Sequence, residues 1–263
     1  MFDDPGQSIR ARGMAGAFVA VADDVSAAAL NPAGLFQVQS YQFAGGYRLL
    51  YGGAGVNLHS ASAGFSMPIG KFGVASLGFV ESGFSLNSER TLRLSHGIKL
   101  ADGLALGYGL ACYNLYQKGF GPEFPVLSQS GYAFGLDLAM FTRVYRSWTL
   151  GFIAQNLNQP KMGLGEQGQM PRRLAFGVGF SPNPGIHSAV DIEKEPGKST
   201  RVRVGQELRI VQDHLALRCG VQTEPVSFAF GLRAGVKMAS LDYALNTHPQ
   251  LGLSHSFGVN LEF

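Results

Sequence analysis

From Ser40 to the C-terminus the chain alternates, apolar then small or polar, with a period of two. In Val226–Lys237 the even positions read Val, Phe, Phe, Leu, Ala, Val and the odd ones Ser, Ala, Gly, Arg, Gly, Lys. Leu251–Phe263 and Val202–Ile210 repeat the scheme. One greasy face and one small or charged face is the signature of a β-strand. Fourteen such runs can be marked: 40–50, 56–67, 72–81, 91–100, 103–117, 131–143, 147–157, 172–181, 186–194, 200–211, 214–223, 226–237, 239–246 and 250–263. The phase slips between Leu58 and Ala61 and between Val74 and Leu77, which predicts bulges there.

Residues 40–263 number 224, and 224/14 leaves 16 for each strand with its connection. A membrane strand needs about 9–11 residues, so the connections are short and the topology is a meander. Connections after even strands are tight: 68–71, 101–102, 144–146, 182–185 and 212–213. Those after odd strands include longer ones at 81–90, 118–130 and 158–171. Outer-membrane barrels have this asymmetry. Tyr41, Tyr51, Tyr116, Tyr132, Tyr145 and Trp148 fall near strand ends, as an interfacial girdle requires. A soluble sandwich or lipocalin-like barrel also alternates, but its strands are shorter. The pattern predicts an all-β, 14-stranded antiparallel up-and-down transmembrane barrel over 39–263, with 1–38 as a separate N-terminal segment.

Composition agrees. Charged residues make up 15% and glycine numbers 36 of 263, without a G-X-Y period. The net charge, 21 − 18 = +3, gives no reason to expect nucleic acid. Mean hydropathy is +0.08. The longest stretches without Asp, Glu, Lys or Arg, Val25–Tyr47 and Leu49–Gly70, are interrupted by Asn, Gln, Pro and Gly and do not read as membrane helices. Met1-Phe2-Asp3-Asp4 lacks the basic, apolar start of an export signal, so the expectation is a leader removed or truncated.

Two segments carry more than pattern. Arg12-Gly13-Met14-Ala15-Gly16-Ala17-Phe18-Val19-Ala20-Val21-Ala22-Asp23-Asp24, continuing to Asn31-Pro32-Ala33-Gly34-Leu35, resembles the N-terminal signature of PorV/FadL-like outer-membrane barrels. Leu241–Ala244, His248–Gly252, Ser254-His255 and the terminal Phe263 resemble the last hairpin of the PorV/PorQ branch. The resemblance implies a bacterial outer-membrane barrel whose N-terminal segment folds inside it, without enzyme activity or cofactor. It also implies two roles. One is a PorV-type accessory docked to a membrane-protein partner in a type IX-like secretion or envelope complex. The other is a FadL-type conduit for small hydrophobic compounds such as fatty acids. This chain is short for either, with modest loops.

The N-terminal segment reads physically as a plug or gate. Gly13 and Gly16 permit close approach to a wall, Asp23 and Asp24 can cap a short helix over 25–30, and Asn31-Pro32 stops it. Gly258, Leu261 and the terminal Phe263 resemble a barrel-assembly signal, although Phe257 stands where a polar residue is expected. The phase opposite the greasy face carries nearly all the charge, among it Arg201, Arg203, Arg209, Arg218 and Arg233. A charge on lipid costs roughly 2–4 kcal/mol at midplane, so this phase faces the lumen. Its arginines either pair across strands or form a basic constriction.

Other signals carry less. Gly163-x-Gly165-x-x-Gly168 lies between strands with no helix to receive a phosphate. Cys112 and Cys219 lie in the lipid phase on distant strands and read as small apolar residues. Ser76 and His96 lack a third partner for hydrolysis, and the remaining histidines lack metal spacing. No catalytic, cofactor or metal residue is expected. A broken ladder at Ser60 and Ala75 would favour transport. An unbroken one, with the lumen filled by residues 1–38, would sink the transport reading.

Overall fold

The computed structural model describes residues 8–52, 58–84, 87–117, 129–162, 169–211 and 214–263. The segment at 163–168, with its glycine motif, and the connections at 118–128 and 212–213 lie outside them. Fourteen antiparallel strands form one closed barrel in chain order. They are β1 Gln42–Leu49, β2 His59–Pro68, β3 Val74–Phe84, β4 Asn87–Ala101, β5 Leu104–Gln117, β6 Gln129–Arg143 and β7 Trp148–Gln155. The second half is β8 Arg173–Asn183, β9 Ile186–Lys194, β10 Arg201–Val211, β11 Leu215–Gln222, β12 Ser227–Val236, β13 Ala239–His248 and β14 Gly252–Glu262. Closure is made by β1 on β14, from Gln42 opposite Glu262 to Leu49 opposite His255.

Closure is the condition for crossing hydrocarbon with strands, since an open edge would leave backbone N–H and C=O groups without partners. The faces sort as the alternation requires. On β6, Phe134, Leu136, Leu138 and Met140 are 58%, 49%, 55% and 41% exposed, while Ala133, Asp137, Ala139 and Phe141 are each 5% exposed or less. So wide an apolar surface is stable against lipid, not water. The C-terminus, the start of β1 and the short turns lie at one end of the barrel, here the terminal end; the longer connections lie at the loop end. The turn from β4 to β5 is a two-residue Asp102-Gly103, where Gly103 takes φ +80°.

Three details differ from the sequence expectation. The ladders of β2 on β3 and β3 on β4 run without a register shift, so the two phase slips are not bulges. The apparent slip at Val74 has another cause: this residue faces inward and joins the buried apolar cluster of Leu35 and Val38. Leu58 likewise lines a cavity of the lumen. Second, 81–90 is no long loop: β3 continues to Phe84 and β4 begins at Asn87. Third, Tyr51 leaves the girdle. It takes a left-handed φ of 52° and turns its ring edge-on to His248, 5.4 Å away, beside the loop-end cavity.

Leu136 stands mid-strand on the lipid face. Leu136→Arg is expected to lower folding stability by about 2–4 kcal/mol relative to Leu136→Ala. Equilibrium unfolding in urea from lipid vesicles measures this, and equal stability of the two variants would place Leu136 away from lipid.

Candidate functional site: the occupied lumen

Residues 8–38 run inside the barrel as α1 (Ile9–Gly13), an irregular stretch, α2 (Ala27–Leu30) and a 3-10 turn (Pro32–Gln37). Ser8 caps α1, its hydroxyl accepting from the Ala11 N–H at 3.0 Å. The irregular stretch cannot satisfy its own backbone, so it needs partners from the wall. Asp191 on β9 accepts from the N–H groups of Phe18 and Val19 at 2.6 and 2.9 Å. Thr149 donates to the Ala20 carbonyl, Ser95 to Ala28, Gln155 to Ala29 and Asn246 to Arg12, at 2.7, 2.7, 2.9 and 3.0 Å. Strand side chains from around the barrel thus hold a segment that has few regular hydrogen bonds of its own.

Glycines of the wall make this seating possible. A Cβ on Gly205 would lie 2.6 Å from the Met14 carbonyl oxygen, and one on Gly220 only 2.5 Å from the Met14 carbonyl carbon. Gly13 and Gly231 face each other so closely that a Cβ on Gly231 would come 2.9 Å from the Gly13 Cα. Sequence reasoning found Gly13 but not its partners. A glycine in an alternating strand shows its missing side chain, not what replaces it.

Charge locks the segment to the same wall. Arg10 donates from Nε to Glu207 Oε2 at 2.8 Å and from Nη2 to Oε1 at 3.0 Å, and its Nη1 reaches Asp23 and Asp24. Arg218 donates to the same Glu207 at 2.7 Å and to Asp242 at 2.5 Å. Burial opposes the Asp24 charge, but the Arg10 guanidinium and the Ser26 hydroxyl outweigh it and hold the carboxyl below its ordinary range. Near the loop end, Glu193 accepts from Arg203 at 2.9 Å and from Arg201 at 3.1 Å.

Of the two arrangements open to the lumen arginines, the described residues show mostly pairing with carboxylates. Arg201 and Arg203 border a cavity at the loop end, whereas Arg209, Arg218 and Arg233 border one at the terminal end. Two groups form instead of one ring, and carboxylates neutralise most of them. Asp24 accepts from the Ser26 N–H at 2.9 Å at the entry to α2, whereas Asp23 pairs with Arg10. Asn31 does more than end a helix. It donates to the Val19 carbonyl at 2.7 Å and accepts from the Ala33 N–H at 3.1 Å, so Pro32 enters the 3-10 turn already capped. Gly16 takes φ +81° against the Arg203 side chain. Gly258 sits inside against Ile9, while Leu261 and Phe263 lie at the closing end of β14, where the Phe263 N–H donates to Tyr41 at 2.9 Å. Ser76 and His96 point to opposite faces: Ser76 bonds Ser66 inside, and His96 packs on Tyr108 outside.

Among the described residues, three cavities border the segment or the wall beside it. The loop-end cavity holds about 450 Å³ and the terminal-end cavity about 190 Å³. Between them lies a neck of about 60 Å³. Its lining is mostly apolar and small: Ile9, Val25, Ala28 and Ala29 against Gly46, Gly64, Gly78 and Val80.

Solved structures of hydrocarbon channels share this fold. The CymD monoaromatic hydrocarbon channel superposes with a TM-score of 0.76 at 12% identity, covering 100% of this chain and 99% of that one. The Pseudomonas putida toluene transporter TodX gives 0.69 at 13%, with 98% and 99% covered. A Pseudomonas aeruginosa FadL homologue gives 0.65 at 14%, with 99% and 98% covered. At such identities the likeness is one of fold. No protein-family model matches the sequence, and no curated protein does.

Asp191→Ala leaves the Phe18 and Val19 N–H groups without their acceptor. The expected cost is about 1–3 kcal/mol of stability, with faster proteolytic cleavage within residues 8–38. Unfolding curves and timed protease digestion measure both, and an unchanged digestion pattern would mean that Asp191 does not hold the segment.

Proposed function

We propose that the protein is a FadL-like channel of the bacterial outer membrane that passes small hydrophobic compounds. The observation that carries this reading is the mostly apolar neck between two wider cavities, in a barrel that matches hydrocarbon channels end to end. A greasy constriction gives an apolar solute a surface that water and ions avoid. The accessory role in secretion rests on the closing hairpin and gains no support from the solved structures named above.

The unbroken ladder and the filled lumen are the outcome set against transport at the level of sequence; transport is kept here because the fold is shared with hydrocarbon channels, and the neck volume says how far the lumen is closed. An apolar cavity of about 150 Å³ holds benzene. The neck, at about 60 Å³, is less than half that. The structure is thus the closed state, and passage requires residues 8–38 to shift. Such a shift is local: the ion pairs of Arg10 and the bonds to Asp191 can part without disturbing the ladders of the wall.

A Cβ on Gly78 would meet nothing within 4 Å, so a side chain there starts in open space at the neck. Gly78→Leu is expected to reduce toluene uptake strongly while the barrel folds normally. The assay is uptake of radiolabelled toluene by intact cells lacking their own hydrocarbon channel. Wild-type cells taking up no more than empty-vector cells would contradict the channel reading. Unimpaired uptake by Gly78→Leu would remove the neck from the path.

A further inference from the structure

One side chain on the outer face contradicts its surroundings. Gln206 lies on β10 between Gly205 and Glu207, both buried, and is itself exposed. It stands at the middle of its strand: 206 − 201 = 5 residues from Arg201 and 211 − 206 = 5 from Val211. The outward residues on either side of it along the strand are Val204 and Leu208, 44% and 42% exposed. Five residues are about 17 Å of strand, or about 12 Å of depth at a tilt near 45°. A glutamine side chain does not reach that far, so its amide cannot lift itself into the headgroups.

An amide in hydrocarbon needs a partner. Among the described residues no hydrogen bond satisfies the Gln206 amide, nor the hydroxyl of Ser188, which stands opposite it across the β9–β10 ladder. Other polar side chains of the outer face are settled within the chain. Tyr243 and His255 share a hydrogen bond of 2.8 Å, His96 bonds the Phe72 carbonyl at 2.6 Å, and Arg90 donates to Glu81 at 2.9 Å. The shape around Gln206 is also distinctive. Its neighbours across the two ladders are short, Ser188 on β9 and Cys219 on β11, and bulk returns only one strand further out, with Phe180 and Phe230. Short flanks let a second convex surface approach until the amide is within bonding reach.

We infer that this face is where the barrel meets a second copy of itself, through Gln206. A carboxamide is self-complementary, since its N–H groups donate and its C=O accepts. Two barrels inserted in the same direction are related by a two-fold axis along the membrane normal, and such an interface sets a residue on the axis against its own copy. With the axis at Gln206, the two amides exchange a pair of hydrogen bonds and neither is left bare in hydrocarbon. Lipid tails offer no donor or acceptor at that depth, and polar side chains join membrane-spanning segments for this reason. The pairing does not depend on what the lumen carries.

Two measurements test it in the full chain. In the first, Leu208 is replaced by photoreactive benzoylphenylalanine and cells are irradiated; Leu94 on β4, 56% exposed and 10 − 4 = 6 strands away, is the control position. A cross-linked product of two copies is expected from position 208 and not from 94. No such product from 208, equal yields from both positions, or a product with a different protein would overturn the pairing. In the second, energy transfer is followed between donor- and acceptor-labelled copies in lipid vesicles as lipid is added. Gln206→Leu is expected to raise the dissociation constant at least tenfold while heat-dependent gel mobility shows a folded barrel. Leucine is close to glutamine in size and suits lipid better; Gln206→Met takes its place should that variant not fold. Equal constants for wild type and the folded variant, or no energy transfer in wild type at any dilution, would overturn the pairing.

Discussion

Buried backbone must find hydrogen-bond partners, and this barrel contains a segment that supplies only part of its own. The strands spend their N–H and C=O groups on each other. Residues 8–38 then depend on side chains that the wall turns inward. Asp191, Thr149, Ser95, Gln155 and Asn246 all serve that end. Without them, the apolar content of Phe18, Val19 and Val21 would still favour burial, but each unpaired amide would cost about 1–3 kcal/mol.

The same dependence explains the composition of the lumen. Where the segment touches the wall, the wall is glycine. Where charges meet, they meet in pairs, because an isolated charge in a narrow, dry lumen is far costlier than a paired one. Glu207 receives Arg10 from the segment and Arg218 from β11, so one carboxylate joins the mobile part to the fixed part. If the barrel is the channel proposed above, it is closed in this structure.

Much of this was legible in the chain. Alternation placed all fourteen strands, because a lipid-facing phase admits no charge and the opposite phase tolerates it. The failures share a cause: alternation reports burial, not direction. Val74 is apolar and faces inward, since the N-terminal segment makes the lumen greasy at that point. Read as a lipid-facing residue, it mimics a bulge. The arginines Arg201, Arg203, Arg209, Arg218 and Arg233 border two separate cavities, and that separation depends on depth, which the period of two does not encode. Gly258 stood out near the terminal Phe263, but its contact with Ile9 joins residues from opposite ends of the chain. No local pattern could reveal it.

The account turns on the neck being the place where a solute is held. The most direct test is a crystal structure of the protein with toluene at saturation. The account predicts toluene density between Ile9, Val25 and the backbone of Gly46, Gly64 and Gly78, with the cavity enlarged beyond its present volume. An unchanged, empty neck, with toluene bound elsewhere on the barrel, would contradict it.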